Sequence, residues 1–424
     1  MRAVSAITLP RLGNKRLAAL RAGWSQAGRR RPGGYVLLLT TVAVLNLVGV
    51  VMVLSASSVS SLSNYGSAWY FFERQLLWTV LGVVAFVVGS RIDYRRWRTL
   101  AVPLLMISGV LLLVVLLPGI GIKVSGSRRW LGFGAWRFQP SEIAKLAILL
   151  FSADLLTRRH HELANWRRVL VPVLLMFSVI AVLVLLEPDM DSTMVLTIIV
   201  ATVLIAGGIR ARHLIALASA VVVLSAGLAM AAPYRRARMF AYLDPWKDKT
   251  NTGYQITQSL IAIGSGGLTG VGLGAGRSKW MFLPNAHTDF IFAVIGEELG
   301  LLGCLLVVAL FGAFAVLGTR AALRAPDRFG MLVAAGITAW VVGQAVINIG
   351  AVVGLLPVSG IPLPFVSFGG SALVFTMAAA GILANVARHE APAGARSIRP
   401  GSTARSSKPT GTRKAASRSG SGSR

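Results

Sequence analysis

Long apolar runs follow one another along this chain, separated by charged or Gly/Pro-rich joints. A helix crossing the hydrocarbon core of a bilayer needs about 20 apolar residues. Runs of that order occur ten times, at 34–54, 75–90, 99–118, 141–157, 169–186, 192–209, 214–233, 289–318, 329–354 and 365–387. The pattern predicts an all-α, polytopic inner-membrane protein with about ten transmembrane helices and a large outer loop, 232–288. The fourth and eighth runs carry charged residues. The first follows a basic N-terminal region and precedes Ser55-Ala56-Ser57, which looks like a signal-peptidase site. Its length of about 20 residues exceeds a signal h-region and predicts a retained anchor.

Composition agrees. Of the 424 residues 55% are hydrophobic and 14% charged, against about 25% charged in a soluble domain. The 43 Lys and Arg against 15 Asp and Glu give a net charge of +28, which taken alone would fit nucleic-acid binding. Placement excludes that reading. Residues 1–33 hold eight basic residues and no acid, and residues 388–424 hold nine with only Glu390 opposing them. Basic ends around an apolar middle predict cytoplasmic termini against anionic lipid. The expected organisation is a basic tail at 1–33, a membrane domain at 34–390 and a disordered basic tail at 391–424. With the N-terminus inside, cytoplasmic segments collect 30 of the 43 basic residues and outer segments 12, with Lys145 inside a span. Eleven of these outer cations fall in two loops: Lys123, Arg128, Arg129 and Arg137 in one, and Arg235, Arg236, Arg238, Lys247, Lys249, Arg277 and Lys279 in 232–288. Cations held outside against the insertion bias point to an anionic ligand or to outer-leaflet phosphates. The lone Cys304, in an apolar run, excludes a disulfide framework and a thiolate metal site.

Ionisable residues inside a membrane are functional candidates. Glu142 and Lys145 lie at i and i+3 of a helix that Ser141 can cap, as a self-neutralising pair or as a phosphate-binding cation with its orienting acid. Glu187, Asp189 and Asp191 make an acidic outer turn. Helix capping is its plainer reading, and a divalent cation (Mg²⁺ or Mn²⁺) is the one cofactor it could take. The glycines at 270, 272, 274 and 276 predict extended backbone packed closely on a neighbour, with amides open to a pyrophosphate as a second use. Asp289 stands where an outer loop enters the eighth run, suited to a general base or, like Thr288, to an N-cap. Glu297 and Glu298, about 12 to 13 Å deeper, read as buried paired groups.

Five stretches then resemble one family in the same order: Gly126-Ser127-Arg128-Arg129-Trp130, Gln139 to Lys145, Gly253-Tyr254-Gln255 to Gly276, Leu283 to Gly300, and Pro364 to Ser371. They are similar to the SEDS peptidoglycan glycosyltransferases, and more to the FtsW, division, branch than to RodA, the elongation branch. Leu283-Pro284-Asn285-Ala286-His287 and Ala387-Arg388-His389-Glu390 are the actinobacterial-like wording. The resemblance implies polymerisation of lipid II at the division septum, alongside a class B penicillin-binding protein as transpeptidase and other divisome proteins. It assigns Asp289 as the catalytic residue and Lys145, Glu142 and an outer arginine, Arg128 or Arg129, to substrate binding; His287, two residues before Asp289, is a further substrate-binding candidate and the nearby competitor for the base role. Two departures stand out: Asn285 occupies a position where many members have Glu, and Met190-Asp191 replaces the more usual Phe-Gly.

The rival readings are a lipid II flippase and a non-catalytic divisome scaffold. A flippase should carry polar groups along a path through both leaflets, whereas here the cations and Asp289 gather at the outer end. The 30-to-12 asymmetry predicts that reporter fusions after Gly354 and at the C-terminus lie on opposite sides of the membrane. The same orientation at both would overturn the ten-span topology.

Overall fold

The apolar runs form helices that pack side by side. The structure, a computed structural model, describes residues 33–124, 127–133, 136–162, 166–209, 244–247, 253–280 and 282–390, with 219 and 227. The expected seventh span, at 214–233, and both basic tails lie outside the described residues. The helices are α1 (Gly33–Tyr65), α2 (Tyr70–Arg91), α3 (Trp97–Leu116), α4 (Pro140–Arg158), α5 (Trp166–Leu186), α6 (Met190–Ala206), α7 (Tyr254–Ser265), α8 (Ile291–Arg324), α9 (Arg328–Val352) and α10 (Gly370–Arg388). Seven of them, α1, α2, α3, α5, α8, α9 and α10, are long and apolar enough to cross a bilayer, and the chain is a multi-pass membrane protein. Outside those seven, α4 carries Glu142, Lys145, Asp154 and Arg158, and α6 is an apolar helix of only 17 residues.

Several boundaries differ from expectation, two of them for a clear physical reason. Expected to end at Leu54, α1 continues to Tyr65 because the serines beyond it turn inward, with Ser57 and Ser61 fully buried. It therefore passes unbroken through Ser55-Ala56-Ser57. The tenth helix begins at Gly370 rather than Phe365, because Phe365 has a φ of 64° that no helix continues through. The eighth begins at Ile291. The outer segment before α4 also departs from an all-α description: β1 (Ile122–Val124), β2 (Ser127–Phe133) and β3 (Trp136–Phe138) form an antiparallel meander with Lys123 opposite Arg128 and Leu131 opposite Phe138.

Small residues set the closest seam. A Cβ added at Gly89 of α2 would stand 2.7 Å from the Ala378 carbonyl of α10, and one at Gly381 would run into the Phe86 carbonyl. Glycine at these points lets the two backbones touch.

The largest irregularity lies inside α8, broken at Gly300 with φ 67° and ψ −164°. Nine residues from the helix start, the break is about 14 Å deep, where unpaired backbone is costly. The glycine-rich segment after α7 supplies the partners. Val271 and Gly272 donate N–H bonds to the carbonyls of Glu297 (3.0 Å) and Glu298 (3.1 Å). In return, Leu301 and Leu302 donate to the carbonyls of Gly267 (2.9 Å) and Leu268 (3.2 Å). A Cβ at Gly276 would meet a Glu297 carboxylate oxygen at 2.9 Å, and one at Gly270 would collide with the Glu298 backbone. The expected close packing holds, while these two amides are committed to α8 rather than open to a pyrophosphate.

Both acids at the break are paired, as their depth implied. Glu297 accepts the backbone N–H of Arg277 at 2.6 Å and of Ser278 at 3.1 Å. Glu298, fully buried, accepts from Lys279 Nζ at 3.3 Å and from Ser55 Oγ at 2.6 Å. Lys279, counted among the outer cations from sequence, is thus an internal partner. Removing one member of a buried pair strands the other, at about 3–5 kcal/mol. Lys279→Met should lower thermal stability in detergent by an amount of that order, and Lys279→Met with Glu298→Gln should recover much of it. Equal losses in the single and double variants would show that the ion pair is not what holds the segment.

Candidate active site

Four outer segments converge: β2 with the start of α4, the turn between α5 and α6, the loop 282–290 before α8, and the loop 355–369 between α9 and α10. Pro140 at the first position of α4 supplies a preset φ where no N–H bond is lost. Gln139 is the N-cap residue, so Ser141 does not cap as expected; its hydroxyl lies 3.2 Å from Ser192 Oγ of α6. One turn into α4, Lys145 Nζ donates to Glu142 Oε1 at 2.7 Å, both side chains buried, which is the pair expected from their spacing. The second Glu142 oxygen has no hydrogen-bond partner among the described residues. Lys145 also lies 5.7 Å from the centre of the Trp340 ring of α9, a cation–π contact.

The acidic turn is built around Asp189. It is the N-cap residue of α6, accepting from Ser192 N at 3.1 Å, so the helix-cap reading holds for it. It also accepts from Gln139 Nε2 at 2.6 Å and pairs with Arg129 Nη1 at 3.6 Å. Arg129 further donates to the carbonyls of Glu187 (3.2 Å) and Pro188. Arg128, next along β2, is exposed on the opposite face of the strand. Glu187 is fully buried with neither carboxyl oxygen bonded among the described residues. Burial first, and the charge of Asp189 second, push its pKa up to about 9 against the opposing pull of Arg129. Among the described residues no three His, Cys, Asp or Glu side chains are grouped to hold a metal.

Asp289 is held by its surroundings, one residue ahead of the N-cap position of α8. The N-cap residue is Phe290, not Thr288 or Asp289, and the Thr288 hydroxyl donates to the Asn285 carbonyl at 3.1 Å. Three successive carbonyls are gripped. That of His287 accepts from Phe368 N at 3.0 Å, that of Thr288 from Ser367 Oγ at 2.6 Å, and that of Asp289 from Asn348 Nδ2 at 2.7 Å. Asn285 makes the turn before them at φ 57°, a conformation Asn adopts more readily than Glu. The His287 ring packs 4.5 Å from Phe71 and 5.7 Å from Phe368, and burial lowers its pKa to about 4, so the imidazole is neutral at physiological pH.

Gly360 joins the two acidic segments. Its N–H donates to Asp191 Oδ2 at 3.0 Å, and a Cβ placed on it would lie 3.0 Å from that oxygen and 3.9 Å from Asp289 Oδ2. The structure thus brings Asp289, Asp191, Asp189 and Arg129 to one end of the helix bundle, with Glu142 and Lys145 behind them on α4. Sequence reading missed Gly360, Ser367 and the α9 residues Trp340, Gln344 and Asn348. The last three had a signal, since they stand at i, i+4 and i+8 on one stripe of an apolar helix. Trp340 Nε1 donates to Gln344 Oε1 at 2.9 Å and Gln344 Nε2 to the Pro362 carbonyl at 3.3 Å, which links the Lys145 side to the loop beside Asp289.

Comparison with known proteins places this arrangement. The profile described as "Cell cycle protein", covering FtsW, RodA and SpoVE, matches residues 35–392. The chain is 43% identical over 351 residues to the probable peptidoglycan glycosyltransferase FtsW of Geobacter metallireducens, covering 83% of this chain and 93% of that one. To the probable peptidoglycan glycosyltransferase FtsW of Mycobacterium tuberculosis it is 44% identical over 354 residues, covering 84% and 68%. A chain solved in work on the coordination of polymerization and crosslinking by a peptidoglycan synthase complex superposes with a TM-score of 0.69 at 30% identity, covering 83% and 96%.

The raised pKa of Glu187 makes a stability prediction. Its carboxyl is protonated when folded and ionises near 4.5 when unfolded, so its contribution is complete below about pH 4.5 and is lost as pH rises toward about 9. The melting temperature of the wild type should therefore fall relative to Glu187→Gln between pH 5 and 9, by the equivalent of a few kcal/mol. Parallel curves for the two proteins would show that Glu187 is not held protonated.

Proposed function

The chain belongs to the FtsW/RodA/SpoVE family, and from that membership and the outer site we propose that it is a peptidoglycan glycosyltransferase polymerising lipid II. In the reaction the 4-hydroxyl of an acceptor GlcNAc attacks the anomeric carbon of a lipid-linked MurNAc. The new glycosidic bond forms with inversion from α to β as the bond to undecaprenyl pyrophosphate breaks. Asp289 takes the hydroxyl proton. Lys145, oriented by Glu142, and the arginine pair of β2 offset the charge growing on the departing pyrophosphate. Of that pair Arg129 is anchored on the 187–189 turn and Arg128 is open to the outside. His287, neutral, offers a ring contact to substrate.

One observation carries this reading: Asp289 stands just ahead of α8 with its carbonyl held by Asn348 and its carboxylate beside Gly360, in the same cluster as Asp191. Both reactants are lipid-tethered, so a base at the membrane edge is where they can meet it. A role at the division septum, a class B penicillin-binding protein as transpeptidase partner, and cytoplasmic termini complete the proposal. The first two are supported by FtsW-named relatives and by the polymerization and crosslinking studied in the related complex, and the third by the basic-residue asymmetry.

Asp289→Asn decides it. The change keeps size and hydrogen-bonding capacity but removes the proton acceptor. It should lower the rate of glycan formation from purified lipid II by about 10² to 10⁴, with insertion and partner binding unchanged. A variant polymerising at near wild-type rate would remove Asp289 from the mechanism.

A further inference from the structure

Asn348 stands near the C-terminal end of α9, four residues before Val352, and is buried there, where a polar side chain is costly unless it is hydrogen-bonded. It is 1% exposed, and both hydrogens of its amide are donated: one to the carbonyl of Asp289 at 2.7 Å, the other to the carbonyl of Ile361 at 2.7 Å. Carbonyls only accept, so the two neighbours fix the amide with its nitrogen toward them. The remaining oxygen, Oδ1, is buried with no partner among the described residues. A side chain serving packing alone would be met by Leu, which has a similar volume and leaves no acceptor stranded.

The two carbonyls it joins belong to the two loops that meet at the site. Of the three gripped carbonyls before α8, Asn348 holds the one on Asp289 itself, so a shift there moves that residue's own Cα and carboxylate. Ile361 follows Gly360, whose N–H holds Asp191 and toward which the Asp289 carboxylate faces. One amide therefore sets the register between the Asp289 loop and the Gly360 loop.

We propose that Asn348 is a positioning residue for the Asp289-dependent transfer, clamping the Asp289 and Gly360 loops at a fixed separation through its two donated hydrogen bonds. The inference rests on the role given to Asp289 above. Loss of the clamp leaves every other group that contacts substrate in place but lets the base wander, and displacement of a reacting group by about 1 Å can cost on the order of 10²-fold in rate. The effect belongs in kcat, with the affinity for lipid II retained.

The test uses the full chain in detergent with lipid II as the probe, reading kcat and KM per folded molecule and melting temperature in parallel. Asn348→Leu removes both donors and Asn348→Ser keeps one. Asn385 supplies the structural control. It is a buried Asn of α10 that accepts from Tyr94 N at 3.0 Å and donates to the Ser90 carbonyl at 2.7 Å, at the helix ends remote from Asp289. Asn348→Leu should lower kcat about 10- to 100-fold with KM within about threefold, and Asn348→Ser should fall between it and wild type. Asn385→Leu should lose melting temperature without loss of kcat per folded molecule. Should Asn348→Leu not fold, Asn348→Ser is judged by the same criteria against wild type. An Asn348 variant with wild-type kcat, or a kcat loss matched by Asn385→Leu, overturns the proposal. Asp289→Asn run alongside separates the two readings: if it is active, the assignment of the base fails, whereas if it is inactive and Asn348→Leu is fully active, only the clamp fails.

Discussion

Backbone that is not helical must find hydrogen-bond partners within the protein when it lies at membrane depth, and this constraint organises the molecule. Two segments violate helical geometry, the glycine-rich stretch after α7 and the loop 355–369. The first is stitched into the break of α8 by four backbone bonds. The second is received by Gln344 and Asn348 of α9, by Thr288 and His287 ahead of α8, and by Asp191. Because both segments are bound to α8 or to its leading turn, satisfying the backbone and placing Asp289 are one structural solution.

The helices were readable because burial in lipid leaves a long one-dimensional signature. So were Glu142 with Lys145, three residues apart, and the inward fate of Glu297 and Glu298, which follows from counting helical rise into the span. Lys279 was misplaced among the outer cations because its partner, Glu298, is brought to it by a fold-back that pattern reading renders as loop. Ser141 and Thr288 were given capping roles on composition alone. Their hydroxyls are drawn instead to Ser192 and to the Asn285 carbonyl, since the chain enters each helix one or two residues away from where they stand. Gly360 left no trace in the sequence, because its value is a missing side chain at a point where two carboxylates face it.

Charge at the site is graded by commitment. Arg129 is tied into the 187–189 turn through two carbonyls and Asp189, and so acts from a fixed platform. Lys145 is neutralised by Glu142 and flanked by the Trp340 ring, which makes it tolerable inside the span while leaving one Glu142 oxygen unspent. His287 contributes no charge at physiological pH. The arrangement keeps strong fixed charge at the rim and compensated charge behind it, as suits a site that must hold an anion and release it.

The glycine seam between α2 and α10 bears on traffic through the bilayer. With Gly89 against the Ala378 carbonyl and Gly381 against that of Phe86, backbone lies on backbone and no gap remains for an acyl or polyprenyl tail. That flank is a wall. If the sugar reacts at Asp289, as proposed above, while the tail stays dissolved in lipid, the tail has to thread between another pair of helices, so the seam gives the protein a closed side and confines its doorway to the rest of its perimeter.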